Sequence, residues 1–203
     1  MAQRKSLQLQ TLNMSILVNS ISVIADSSVE PVSITDARNW LRLDTAYTED
    51  DNLISELISS SRKHIEKLTG CNLVNKSMKV LINVYGQPLN PTYVIDLPYG
   101  PVVCVDLVRL KTGINTYETL TKNTHYEMIG GRLWLYSIGD YEVTYTSGYG
   151  DCPADLESDI LTLVAWSYEN RGKKMEGQGR EGLLRSYPNW DGMNYHQYKK
   201  VVI

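Results

Sequence analysis

The chain has 203 residues, a hydrophobic fraction of 42% and a formal net charge of −3, which is enough for one domain with a buried core, or for one domain that carries an insertion. The sequence pI of about 5.6 argues against a dedicated nucleic-acid binder, because such proteins usually have a basic face and a high pI. No run approaches eighteen apolar residues, so we predict no membrane span.

The N-terminal residues 1–32 are predicted to form an arm. Residues 1–13 are polar, and we expect them to be mobile. Residues 14–24, MSILVNSISVI, are apolar and rich in β-branched side chains, which favours a strand or an extended arm. Residues 25–31 contain a serine pair and a proline and are predicted to be a linker.

Two helices are predicted next. Ser33 and Asp36 have the spacing of a capping box, which predicts a helix over residues 34–43. Thr48 is the candidate N-cap of a second helix, over residues 50–69, in which carboxylates occupy the first turn and apolar residues recur at helical spacing.

The hydrophobic period then changes to two. About six short apolar runs, separated by glycine and proline, lie between residues 77 and 147, and they predict an antiparallel sheet pair or a small barrel. A third helix is predicted over residues 154–171, because Pro153 favours the first turn of a helix and an apolar stripe follows it.

These elements indicate an α+β fold, in which the three helices pack as a small bundle and the strands form an inserted antiparallel β domain between the second helix and the third. We predict that Leu57, Ile58, Leu156, Ile160 and Val164 are buried together. The predicted domain boundaries are 1–32 for the N-terminal arm, 33–76 and 148–172 for the helical core, 77–147 for the inserted β domain, and 173–203 for the C-terminal arm.

The C-terminal arm has a glycine-rich, basic first half and an aromatic and apolar second half. Tyrosine is common at subunit interfaces, since it combines apolar area with a polar tip. The candidate partner-binding residues are therefore Tyr187, Trp190, Tyr195, Tyr198, Val201, Val202 and Ile203. The candidate contacts to an acidic partner or to DNA phosphates are Arg171, Lys173, Lys174, Arg180 and Arg185. The alternatives are a tail that folds back on its own domain and a solvated basic loop.

No arrangement of residues indicates catalysis or metal binding. The histidines His64, His125 and His196 lie in different segments, the three cysteines are isolated, and no P-loop or nucleophile elbow is present. Asp50 and Asp51 are better explained as carboxylates at a helix start than as metal ligands. We therefore predict neither an enzyme nor a cofactor.

Two segments resemble the head–tail connector family of long-tailed bacteriophages and related prophages. Residues 30–74 are similar to the family's opening, with a Pro-Val-Ser start, a short helix ending in Leu-Arg-Leu-Asp, an acidic gap and a long helix ending in Thr-Gly. Residues 145–172 are similar to the family's Tyr-Thr-x-Gly-Tyr-Gly turn, Pro-Ala-Asp-Leu cap and Tyr-Glu-Asn-Arg helix end. Residues 97–102, LPYGPV, resemble a Leu-Pro-x-x-Pro-Val segment that begins a strand in the longer members.

The resemblance implies a structural virion protein, made in the cytoplasm of a host bacterium and located in the virion neck. It implies a homo-oligomeric ring, commonly a dodecamer, that sits beneath the portal protein and presents a surface to a stopper or tail-terminator protein. Genomic DNA would pass through the ring without sequence-specific contacts. A stopper or tail-completion subunit, and a DNA-packaging or DNA-binding accessory factor, are the alternatives.

Overall fold

The α+β class predicted from the sequence is confirmed by a computed structural model, which describes residues 15–44, 46–86, 92–171 and 193–198. The helices are α1 (Ile34–Leu41), α2 (Asp51–Thr69) and α3 (Ala154–Glu169), with a 3₁₀ helix at Asn194–Tyr198. The strands are β1 (Ser15–Ala25), β2 (Lys76–Tyr85), β3 (Tyr93–Ile95), β4 (Val102–Lys111), β5 (Tyr117–Thr119), β6 (Tyr126–Ile129), β7 (Arg132–Leu135) and β8 (Gly139–Ser147).

The chain divides into two compact units. Among the described residues, the β unit comprises residues 15–24, 78–86, 92–97 and 104–145, and the helical unit comprises residues 25–44, 46–77, 98–103, 146–171 and 193–198. This division differs from the predicted boundaries in several places. The strand β1 belongs to the β unit except for its last residue, instead of forming an arm of its own, and residues 98–103 belong to the helical unit instead of the inserted domain. Residues 26–32 and 193–198, which were predicted to lie in the two arms, also belong to the helical unit.

Backbone hydrogen bonds explain why residues 98–103 belong to the helical unit. The Asn72 N–H donates to the Gly100 carbonyl over 3.2 Å, and the Gly148 N–H donates to the Pro101 carbonyl over 2.8 Å. Buried backbone groups need such partners, and here the partners lie on either side of the predicted insertion.

Ser33 is the N-cap of α1, at the position that the predicted capping box gives it. The Ser33 hydroxyl accepts the Asp36 N–H over 3.0 Å, which satisfies one of the donors that a helix start leaves unpaired. The helix ends at Leu41, two residues before the predicted end, because Arg42 adopts a left-handed conformation with a φ of 57°.

The N-cap predicted for α2 is wrong. Asp50 occupies that position, and Thr48 contributes only its backbone carbonyl, which accepts the Asp51 N–H over 3.3 Å. Asp50 makes no side-chain capping hydrogen bond, because its carboxylate pairs with Tyr168 and Arg171 instead. The helix ends at Gly70, which has a φ of 68°, a conformation in which glycine is favoured.

The core of the helical unit forms where α2 packs against α3 and where α1 contacts both. Of the five residues predicted to be buried together, four are fully buried, and Leu57 is partly buried against them. The core also contains Val32, Ala37, Ile54, Ile65, Leu73, Leu163, Met193 and Tyr195.

The β unit contains a five-stranded sheet with the order β1-β2-β8-β4-β5 and a three-stranded sheet with the order β3-β7-β6. The small sheet is antiparallel, with Val94 opposite Trp134 and Met128 opposite Leu133. Buried and half-buried residues alternate along most of β2, so the period-two pattern identified this strand and its core-facing side.

Candidate functional site

The described C-terminal residues are anchored to α3 by a buried carboxylate. Asp159 is 4% exposed. It accepts the backbone N–H of Tyr195 over 2.8 Å and the backbone N–H of Asn194 over 3.2 Å. A buried carboxylate is stable only when such donors surround it, and the backbone around the 3₁₀ helix supplies them.

A second carboxylate on α3, one turn earlier, holds the end of the same segment. Asp155 accepts the Tyr198 hydroxyl over 2.9 Å and the Gln197 side-chain amide over 2.7 Å. The hydrogen bond to Asp155, together with burial, raises the pKa of Tyr198 to about 12. The Tyr198 ring also packs edge-on against Tyr149, with ring centroids 6.2 Å apart.

Two of the predicted partner-binding residues are therefore engaged within the chain. Tyr195 is 2% exposed in the helical core, and Tyr198 packs against that core. At these two residues the tail folds back on its own domain, which was the alternative that the sequence left open. The other predicted contacts, Tyr187, Trp190, Val201, Val202 and Ile203, lie outside the described residues.

Arg171 links the end of α3 to the start of α2. Its guanidinium lies 3.1 Å from a carboxylate oxygen of Asp50 and stacks over the Tyr168 ring, with 3.8 Å between the guanidinium carbon and the ring centroid. Asp50 also accepts the Tyr168 hydroxyl, and these groups hold the pKa of Asp50 below its ordinary value.

Arg171 was predicted to contact an acidic partner or DNA phosphates, and its guanidinium is half-exposed although it is paired. The other members of the predicted basic cluster, Lys173, Lys174, Arg180 and Arg185, lie outside the described residues.

A buried ionic cluster fixes the segment that connects β1 to α1. Arg62 is 2% exposed and pairs with Glu30 at 2.6 Å, Glu66 at 3.2 Å and Asp26 at 3.5 Å. Lys76 pairs with Glu66 at 2.6 Å and with Asp26 at 3.4 Å. Burial alone would raise the pKa of Asp26, but the two cations lower it below its ordinary value.

The strand β1 exposes apolar side chains although it belongs to a sheet. Its sequence, SILVNSISVIA, contains no charged residue. Five of its large apolar side chains are between 40% and 55% exposed: Leu17, Val18, Ile21, Val23 and Ile24. We call residues 16–25 the β1 edge. Exposed apolar side chains on a strand at the edge of a sheet mark a surface for protein contacts.

Within the described residues, no group of three or more His, Cys, Asp or Glu side chains converges to hold a metal ion.

An open groove of about 390 Å³ is lined by Pro31, Val32, Asp36, Asn39, Trp40, Glu157 and Leu161. This lining supplies carboxylates and an indole ring, but no pairing of a nucleophile with a base. Among the residues that the structure describes, no helix is long and apolar enough to cross a membrane.

Sequence reasoning missed Arg62, Asp155 and Asp159 as structural anchors. A signal was present for Arg62, which is spaced four residues from Ile58 and three from Ile65 and therefore falls on the apolar stripe of α2. Asp159 lies in the second turn of α3, directly before Ile160. A carboxylate gains less from the helix dipole there than in the first turn, so this position was a signal that Asp159 has another partner.

No family model matches this chain, and neither does any curated protein. Among solved structures, a chain in the neck of an empty gene transfer agent (GTA) particle, computed with C6 symmetry, has a similar fold. The TM-score is 0.65 at 16% sequence identity, over 91% of this chain and 97% of that chain. A chain in the virion of a native GTA particle gives a TM-score of 0.65 at 15% identity, over 90% and 96% of the two chains. At this identity the similarity shows a shared fold over nearly the full length of each chain.

Proposed function

We propose that the chain is a structural subunit of a phage neck, a head–tail connector that forms a ring under the portal, joins the DNA-filled head to the tail and extends the DNA channel. The observation that carries the proposal is the similarity to a chain in the neck of a GTA particle, which covers 91% of this chain and 97% of that chain. The similar fold extends over nearly the full length of both chains, which supports a role in the same part of a particle.

The exposed surfaces fit an assembly protein. Closing a ring requires a heterologous interface, in which one patch of each subunit meets a different patch of its neighbour. The β1 edge and the groove beside Trp40 both expose apolar side chains. Exposed apolar patches of this kind usually mark sites of protein contact.

The net charge fits a channel through which DNA moves. Each lysine or arginine contact with a phosphate adds salt-sensitive affinity, and a channel that held DNA in this way would impede its passage. The formal net charge of −3 is therefore suited to a lining that does not bind DNA strongly.

The C6 symmetry of the similar neck is compatible with rings of six or of twelve subunits, and we propose the dodecamer. The portal protein is the proposed partner on the head side, and a stopper or tail-terminator protein is the proposed partner on the tail side. A stopper or tail-completion role remains the alternative within the neck.

The direct test is assembly with the portal. Electron microscopy of the purified protein should show rings, and these rings should bind purified portal. Particles produced without the protein should have filled heads that do not retain tails. The proposal is wrong if such particles attach tails normally.

Two further outcomes separate the alternatives. Binding to the stopper or tail but not to the portal would indicate the stopper role. Salt-dependent binding of the isolated protein to duplex DNA, with a steep loss of affinity as salt rises, would favour a DNA-packaging factor. We expect weak binding at low salt and none at physiological salt.

A further inference from the structure

We propose that residues 1–14 of one copy bind in the groove beside Trp40 on the next copy, so that each subunit of the ring is held to its neighbour by an N-terminal segment. The inference rests on the proposed ring and names two surfaces that close it. Residues 1–14 lie outside the described residues, so their part in the contact is inferred from their sequence.

The groove beside Trp40 offers an apolar surface within the helical unit. Residues of α1, of α3 and of the segment before α1 form it, and its apolar lining consists of Pro31, Val32, Trp40 and Leu161. The Trp40 side chain is 49% exposed. A tryptophan ring has a large apolar area, so covering it with an apolar side chain of a partner is favourable.

The same groove carries two carboxylates, Asp36 on α1 and Glu157 on α3. Asp36 accepts the hydroxyl of Ser33, which is a neutral donor, and neither carboxylate forms an ion pair with a described residue. A cation is attracted both to carboxylates and to the face of an indole ring. The groove is therefore complementary to a peptide that combines cations with apolar side chains.

Three stretches outside the described residues carry cations. Residues 1–14 contain Arg4, Lys5, three leucines and no acidic residue. Residues 172–192 contain four cations but also three acidic residues, so their net charge is small. Residues 199–203 contain two lysines, but their apolar residues are the candidate contacts to the portal. Charge complementarity therefore favours residues 1–14 as the occupant.

The spacing within residues 1–14 suits an extended segment that lies in a groove. Leu7 and Leu9 alternate with polar residues, so an extended backbone places both side chains on one side. Arg4 and Lys5 precede them by two to five residues, which is about 7–17 Å along an extended chain. One short segment therefore supplies both the cations and the apolar side chains that the groove can accept.

The next copy is the recipient that a ring requires. The N-terminal segment and the groove are different patches of the same chain, so a contact between copies is heterologous, and every subunit has one patch of each kind. In extended form residues 1–14 reach about 46 Å, which exceeds the diameter of about 30 Å of a small domain. The segment is therefore long enough to reach a neighbour.

The strand β1 adds a reason for a contact between copies. Residues 1–14 lead directly into β1, whose large apolar side chains are between 40% and 55% exposed. The neighbour that holds the N-terminal segment would also cover the adjacent part of β1, which is the cover that these exposed side chains lack in the isolated chain.

A charge reversal with rescue tests the contact in the full chain. Glu157→Lys should raise the protein concentration required for ring formation by roughly tenfold or more, because it sets a cation against Arg4 and Lys5. Arg4→Glu combined with Lys5→Glu should have a similar effect, and all three changes together should restore assembly. Glu169→Lys, at an exposed residue near the other end of α3, is the matched control and should leave assembly unchanged.

Circular dichroism and thermal denaturation would check that these variants fold. Restored assembly in the triple variant is expected only if the two charged groups meet in the ring. Normal assembly of Glu157→Lys would overturn the proposal, and so would a triple variant that assembles no better than Glu157→Lys.

Disulfide cross-linking shows which copy holds the segment. Cys71 is buried, and burial raises the pKa of Cys152 to about 12, so Cys104→Ser removes the exposed native thiol. In that background Asn39→Cys places a thiol at an exposed residue of the groove, and a second cysteine is placed in turn at residues 6–10.

We expect mild oxidation of assembled rings to give a ladder of dimers, trimers and larger species for at least one of these pairs. Neither cysteine alone should give a ladder. A disulfide that forms only within one chain would show that the segment folds onto its own groove and would contradict the proposal. A ladder from Lys174→Cys or Lys200→Cys, when no position in residues 6–10 gives one, would assign the groove to another segment and would also contradict it.

The failure of this contact and the failure of the proposed function are distinguishable. Rings that form normally from a chain lacking residues 2–14 would overturn the N-terminal contact and leave the proposed function intact. A protein that forms no rings, alone or with portal, would contradict the proposed function itself, and the N-terminal contact with it.

Discussion

A single buried arginine determines the path of the chain between β1 and α1. Arg62 lies on the buried face of α2, where a guanidinium is stable only if carboxylates surround it. Glu66 comes from the next turn of the same helix, whereas Asp26 and Glu30 come from the connecting segment. The ion pairs of Asp26 and Glu30 with Arg62 therefore hold the connecting segment against α2.

Replacing this arginine tests the cluster. Arg62→Met should reduce the free energy of unfolding by about 3–5 kcal/mol, because three carboxylates, Asp26, Glu30 and Glu66, would then share a single cation, Lys76. Urea denaturation would measure the change. The control is Arg132→Met, which removes a pair with Asp96 in which both side chains are more than half exposed and should cost less than about 1 kcal/mol. Equal effects of the two substitutions would contradict the cluster's role.

The same cluster predicts a dependence of stability on pH. The folded-state pKa of Asp26 is lower than its ordinary value of 3.8, so the folded state favours the ionised form. This contribution to stability is present above about pH 4 and is lost as the pH falls through the folded pKa. Urea titrations between pH 5 and pH 2.5 should show a smaller loss of stability for Asp26→Asn than for the unaltered protein. Identical pH profiles would show that the pairing contributes nothing.

At the scale of elements, the turn before α3 shows how one residue fixes the contact between two segments. Gly148 has a φ of 140°, and a Cβ built on it would lie 2.2 Å from the Val74 carbonyl oxygen. The Tyr149 N–H then donates to the Asn72 carbonyl over 3.3 Å. Only glycine permits this approach of the chain to the segment between α2 and β2.

Two glycines of the same turn provide a matched test. Gly148→Ala should reduce the free energy of unfolding by at least about 2 kcal/mol, because it combines an unfavourable φ with a backbone clash. Gly150→Ala should change it by no more than about 0.5 kcal/mol, since a Cβ there meets nothing within 4 Å. Thermal denaturation of both variants would measure the difference. A tolerated Gly148→Ala would mean that the turn moves away from Val74 at little cost.

At the scale of the whole molecule, the C-terminal residues serve both stability and assembly in our proposal. Met193 and Tyr195 contribute to the helical core, and Asp159 depends on the backbone of that segment for its hydrogen bonds. We propose that residues 201–203 contact the portal, because these apolar residues follow the anchored segment after only Lys199 and Lys200.

Two truncations separate these roles. A chain ending at Tyr198 should keep the stability of the full protein but lose most of its binding to the portal, because the anchor remains and the apolar end is absent. A chain ending at Arg171 should also lose several kcal/mol of stability, since core side chains are removed and Asp159 loses the backbone donors that pair its carboxylate. Thermal denaturation and portal binding would be measured on both. Normal portal occupancy for the chain ending at Tyr198 would rule out residues 201–203 as the contact.

The local pattern of the sequence was sufficient for the helices and for much of the sheet. Ser33 and Asp36 identified the start of α1, Gly70 marks the end of α2, and the period-two pattern identified β2. Helix caps, left-handed backbone at a glycine and alternating burial all depend on residues a few positions apart, so a local sequence pattern reveals them. The N-cap of α2 was missed because Asp50 is engaged by Tyr168 and Arg171, which are distant in sequence.

The sequence by itself determined the α+β class, the three helices, and the resemblance to a family of neck proteins. The tertiary structure decided that β1 joins the sheet, that residues 98–103 belong with the helices, and that Tyr195 is buried. The reason is physical: local patterns report which side chains are apolar and how they repeat. Which distant group satisfies a buried charge or backbone hydrogen bond depends on residues that only the folded chain brings together.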